Sequence, residues 1–88
     1  MSVVKKTVED YMEKGKFYFL SGKYDSAIKE FREALKIEPR NTELLYSLGI
    51  SYESSNRLDE AREAYLQTLD IDPNHKIAKQ HLDNMLEK

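Results

Sequence analysis

The chain contains no cysteine, so disulfides, thiol nucleophiles and cysteine-ligated zinc are excluded. Three glycines and two prolines are too few for an all-β protein built on tight turns. Neither sign of charge dominates, because 14 basic and 16 acidic residues leave a net charge of −2. A protein that coats nucleic acid needs a basic surplus, so no nucleic-acid partner is expected. The opening Met1-Ser2-Val3-Val4-Lys5-Lys6 runs into Glu9 and Asp10 without the apolar core of a signal peptide, which makes a cytoplasmic location the expectation. Glycine-rich phosphate loops and HExxH runs are missing as well, so neither catalysis nor a cofactor is expected.

What remains is 88 residues, 40% hydrophobic and 34% charged, the composition of one soluble domain with no membrane partner. The chain repeats itself. A shift of 34 residues places Gly15 on Gly49, Tyr18 on Tyr52, Asp25 on Asp59, Ala27 on Ala61, Leu35 on Leu69, Ile37 on Ile71 and Pro39 on Pro73. Glu9/Glu43 and Ser21/Ser55 match under the same shift.

Each unit reads as two helices. Val8, Tyr11, Gly15, Tyr18 and Phe19 recur at steps of three and four, the signature of one apolar helix face, and Thr7 with Asp10 suggests a capping box. Gly22-Lys23 interrupts the pattern, Ala27, Ile28, Phe31, Ala34 and Leu35 resume it, and Pro39 stops it. The second unit follows with Leu45, Leu48, Gly49 and Tyr52, a turn at Ser55-Asn56, then Leu58, Ala61, Tyr65 and Leu69 before Pro73. Asp25 and Asp59 fall near helix starts, where a carboxylate suits the positive end of the dipole. Glycine and alanine let the paired helices approach closely, while the Tyr and Phe rings fill the space around them. After Pro73, Asn74 is a candidate N-cap, and Ile77, Ala78, Leu82, Met85 and Leu86 mark a one-faced helix. Asp83 stands in register with Gly15 and Gly49, so this segment reads as a capping helix solvated on one side.

The run Tyr11-x-x-Lys14-Gly15-x-x-Tyr18, Ala27-x-x-x-Phe31, Pro39 resembles the tetratricopeptide repeat, and Leu45-x-x-Leu48-Gly49-x-x-Tyr52, Ala61-x-x-x-Tyr65, Pro73 resembles it again. Tyr11 and Leu45 replace the usual Trp, Tyr65 the Phe, and Lys14 the Leu; Lys14 suits a first repeat with no neighbour before it. The resemblance implies an all-α, right-handed helical-hairpin solenoid within residues 1–88, with repeats at 8–41 and 42–75 and a capping helix at 76–87. It also implies a non-enzymatic scaffold whose first helices grip a peptide or helix of a partner protein in a concave groove. Mapped onto this chain, the groove comprises Met12, Lys16, Phe19, Tyr46, Ser47, Ile50 and Glu53, with Ile77, Gln80, His81 and Asn84 from the cap. The alternative is that the cap or the N-terminus covers Phe19 and Ile50.

Family members that clamp the C-terminal carboxylate of heat-shock chaperones use Lys and Asn, then Asn, then Lys and Arg. The aligned residues here are Met12, Lys16, Ser47, Ile77 and His81, none of the required type, although Lys16 keeps a cation. A chaperone clamp is therefore not expected.

Other side chains have plainer readings. His75 and His81, six residues apart, would point different ways on one helix and hold no metal together. Glu30, Glu33, Glu60 and Glu63 read as solvated helix surface with basic neighbours, as in Lys29/Glu33. Tyr18, Phe31, Tyr52 and Tyr65 read as core. A second function class is self-assembly, because two repeats are fewer than usually suffice, and stacking or helix exchange between copies would extend the core.

Overall fold

The computed structural model describes residues 6–86, and these form five α-helices with no strand among them. They are α1 (Val8–Leu20), α2 (Tyr24–Ile37), α3 (Thr42–Ser54), α4 (Leu58–Ile71) and α5 (Lys76–Leu86). The all-α hairpin repeat expected from the sequence is the observed architecture. Glu87, the last residue of the expected cap, lies outside the described residues.

Local chemistry sets most of the helix boundaries. Thr7 Oγ1 accepts from the Asp10 amide at 3.2 Å and Asp10 Oδ2 accepts from the Thr7 amide at 2.9 Å, so the capping box at the start of α1 is formed. Asn41 Oδ1 accepts from the Leu44 amide at 3.1 Å and starts α3. Pro39 and Pro73 push Glu38 and Asp72 to extended ψ values of 80° and 87°, which ends α2 and α4. The turns inside the two hairpins share one left-handed residue, Gly22 with φ of 77° and Asn56 with φ of 62°. Those positions are 34 residues apart, and Gly and Asn are the residues that tolerate this conformation best.

α1 packs on α2 and α3 on α4; α2 then packs on α3, and α4 on α5, giving an elongated stack of 55 × 27 × 17 Å. The core runs along it through Ala27, Ile28, Phe31, Ala34, Leu44, Leu48, Tyr52, Ala61, Tyr65, Ala78 and Leu82. The glycine of each hairpin faces a ring. A Cβ at Gly15 would stand 2.5 Å from Phe31 Cε1, and one at Gly49 would stand 2.5 Å from Tyr65 Cε1. The close approach expected from glycine and alanine is thus a glycine-to-ring contact.

The structure corrects three local readings. Tyr18 is only half-buried, whereas its counterpart Tyr52 is buried, because no described element packs on the outer side of α1. The same asymmetry leaves Lys14 exposed where Leu48 is buried. Glu30 is buried rather than solvated, and its Oε1 has no hydrogen-bond partner. It occupies the position of Ala64, on the side of α2 that the stack covers, which a charge pattern along one helix does not reveal. Glu33 keeps the basic neighbours expected of it: the Lys36 ammonium pairs with it at 2.6 Å, and this contact, with the charge of Lys29 nearby, lowers the carboxyl pKa from its ordinary value. Finally, His75 rather than Asn74 caps α5, accepting from the Ala78 amide through Nδ1 at 3.1 Å. Asn74 instead donates its own amide to Asp72 Oδ1 at 3.2 Å, which holds it in the preceding turn.

Candidate functional site

α1, α3 and α5 are linked side by side by polar contacts, so the first helix of each hairpin and the cap share one face. Lys16 Nζ on α1 donates to Glu43 Oε2 on α3 at 2.9 Å. His81 Nδ1 on α5 lies 3.0 Å from Glu53 Oε1 on α3. Residues named from the sequence fall into three groups along this face.

The first group surrounds a cavity of about 260 Å³ between α1 and α3, lined by Lys16, Phe19, Leu20, Phe31, Ser47 and Ile50. Phe19 and Ile50 are half-buried, and Phe19 is held by a tilted contact with Tyr24 at 5.3 Å between ring centroids. Leu20 is 84% exposed at the cavity edge, so an apolar side chain stands in water beside an apolar recess. Ser47 is buried beneath it. Met12 does not line the cavity but packs against the core.

The second group is a polar junction of three helices. Tyr65 Oη donates to Glu53 Oε1 at 2.7 Å, and His81 Nδ1 stands 3.4 Å from the same hydroxyl. A His81 tautomer carrying its proton on Nδ1 donates to that carboxylate as well. Tyr46 covers the junction, its ring centroid 6.1 Å from Tyr65, 5.3 Å from His75 and 5.9 Å from His81. Burial, reinforced by the Glu53 carboxylate, pushes both the Tyr65 and the Tyr46 phenols above their ordinary pKa. Both phenols therefore stay protonated at neutral pH, and Tyr65 serves as a fixed donor. The two histidines, expected to diverge, both flank Tyr46, because His75 caps α5 instead of sitting within it.

The third group lies at the far end of the stack, where Glu53 and Asn84 border a depression of about 420 Å³ with Leu58, Asp59, Arg62, Met85 and Leu86. Ile77, 53% exposed, and Gln80 stand on the outer part of α5, away from both cavities.

Sequence reasoning missed Leu20, Phe31, Glu43, Tyr65 and His75 as members of this face. Leu20 lies four residues after Lys16 and was legible as the next turn of the same face. Glu43 carried no local signal, because its partner lies 27 residues away on another helix. Phe31 and Tyr65 were read as core, which they are, but their edges also reach the shared face. Among the described residues no group of three His, Cys, Asp or Glu is placed to hold a metal ion, and no helix is long and apolar enough to cross a membrane.

Comparison with known proteins agrees with this geometry. The family model described as "Tetratricopeptide repeat" matches residues 18–86. A TPR repeat-containing protein of Methanocaldococcus jannaschii is 36% identical over 75 residues, which is 85% of this chain and 13% of that protein. Small glutamine-rich tetratricopeptide repeat-containing protein 2 of Mycosarcoma maydis is 38% identical over 61 residues, covering 69% of this chain and 17% of that protein. The crystal structure of MamA superposes with a TM-score of 0.89 at 28% identity, over 92% of this chain and 47% of MamA. The chain thus spans less than a fifth of these two curated relatives and about half of MamA.

Proposed function

The chain belongs to the tetratricopeptide repeat family, and from that premise we propose that it is a non-enzymatic module that grips a peptide or helix of a partner protein. The family is a protein–protein interaction scaffold, and the gripping surface proposed here is the groove formed by α1 and α3, from two repeats at 8–41 and 42–75, together with α5. The observation that carries the reading is the recess bordered by Phe19, Leu20 and Ile50, with Leu20 standing 84% exposed at its edge. An apolar recess with a polar rim is the ordinary form of a protein-binding surface. The test is capture of partners by the immobilised chain from a lysate of its source. Phe19→Glu and Ile50→Glu are expected to lose the partners that Leu66→Glu, on exposed α4 surface, retains; unchanged capture by the groove variants removes the groove from the account.

Self-association is a second reading, favoured by Phe17. This residue is 65% exposed on α1, bordering a separate recess with Asp10, Glu13 and Lys14. Light scattering across a concentration series tests it: a monomer at every concentration refutes it, and an oligomer that Phe17→Glu dissolves supports it.

A further inference from the structure

We infer that the cavity between α1 and α3 selects a non-acidic partner segment by accepting one uncharged apolar side chain of Leu, Met or Phe size. The inference rests on the groove reading above. Its first support is the lining: Phe19, Leu20, Phe31 and Ile50 offer carbon, and Ser47 is buried. A space of about 260 Å³ accommodates one side chain with its backbone at the mouth, not a second helix. A charged side chain entering there would lose its hydration and meet no unpaired counter-charge.

The second support is the charge at the mouth. Lys16 is the cation lining the cavity, and Glu43 Oε2 stands 2.9 Å from its ammonium. Both side chains are more than half exposed, so the pair adds little to stability. Its effect is on recognition: opposite charges this close cancel each other's field for an approaching ligand. With Lys16 offset by Glu43, the mouth offers no net positive charge to draw an acidic segment, while an apolar side chain finds carbon to pack against.

Short randomised peptides displayed on phage, selected against the full chain, provide the test. Enriched peptides are expected to carry one Leu, Ile, Met or Phe with neutral or basic neighbours, and replacing that residue by Ala or Asp should weaken binding about tenfold or more. Glu43→Gln changes an exposed side chain, so it should leave the helical content intact while freeing Lys16 and shifting enrichment toward acidic peptides. Selection of acidic peptides by the unaltered chain, a Glu43→Gln variant with unchanged preference, or no enrichment at all overturns the inference. Enriched peptides whose binding ignores both Phe19→Glu and Ile50→Glu defeat the groove reading itself; acidic peptides whose binding depends on those residues defeat only the apolar anchor.

Discussion

The ring of Tyr65 rests on Gly49 so closely that a Cβ there would stand 2.5 Å from Cε1, and the hydroxyl of the same ring reaches Glu53 Oε1 at 2.7 Å. One side chain thus joins the two helices of the second hairpin and supports the face that α3 shares with α5. Its counterpart Phe31 makes the same contact with Gly15 but has no hydroxyl. Only the second hairpin therefore carries the polar junction to the cap.

Gly49→Ala should destabilise the fold by roughly 1–3 kcal/mol, because the ring cannot yield without disturbing a packed core. Urea melts of Gly49→Ala, Tyr65→Leu and the double variant check the mechanism. The glycine substitution should cost measurably less once the ring is gone, whereas full additivity would show that the ring is not what the new methyl meets. Gly22→Ala should cost about 1–2 kcal/mol for a different reason, left-handed backbone strain, since no atom lies within 4 Å of its Cβ position.

Tyr65→Phe keeps the ring but removes the donor to Glu53, for an expected loss of about 1 kcal/mol. Because Glu53 also meets His81, amide exchange in α5 should quicken in Tyr65→Phe and in His81→Ala. Exchange unchanged in both variants would mean that Ala78 and Leu82 alone secure the cap.

Alkaline pH should weaken the fold. Burial, with Glu53 beside it, raises the Tyr65 pKa in the folded state, while the unfolded phenol titrates near about 10. Above that pH the unfolded chain releases a proton that the folded chain keeps, so the folded state binds more protons and stability falls as pH rises. Below about 10 both states are protonated and the contribution is intact. Tyr46 shifts in the same direction for the same reasons. Urea midpoints measured from about pH 8 to pH 11 should decline for the unaltered chain and less steeply for Tyr65→Phe; equal slopes would exclude Tyr65 as the cause.

Glu30 is 9% exposed with an unpartnered Oε1, at a position where the second repeat has alanine. Glu30→Met, similar in volume and without the unmet acceptor, should raise stability by roughly 1 kcal/mol. A lowered melting temperature would show that the carboxylate supports the fold in a way its geometry does not suggest.

How much was legible followed from the range of each signal. The helices, their stops at Pro39 and Pro73, the Thr7 cap and the glycine positions were readable because each depends on residues within one or two turns, and the repeat displayed them twice. Asp83, at the position that holds glycine in both hairpins, is exposed, as its charge led one to expect. A helix of known period fixes which residues share a side, so Lys16 with Phe19 and Ser47 with Ile50 were readable as neighbours, and the structure sets these four around one cavity.

What the sequence by itself determined is therefore the periodic part: five helices and their pairing into hairpins. Tertiary structure alone decided which side chains meet. Lys16 with Glu43, Glu53 with both Tyr65 and His81, the two histidines around Tyr46, and the burial of Glu30 are all set by distances between helices. A repeat pattern encodes the angle of a side chain about its own helix; the partner it finds depends on how the next helix is placed, which is fixed only when the whole stack has packed.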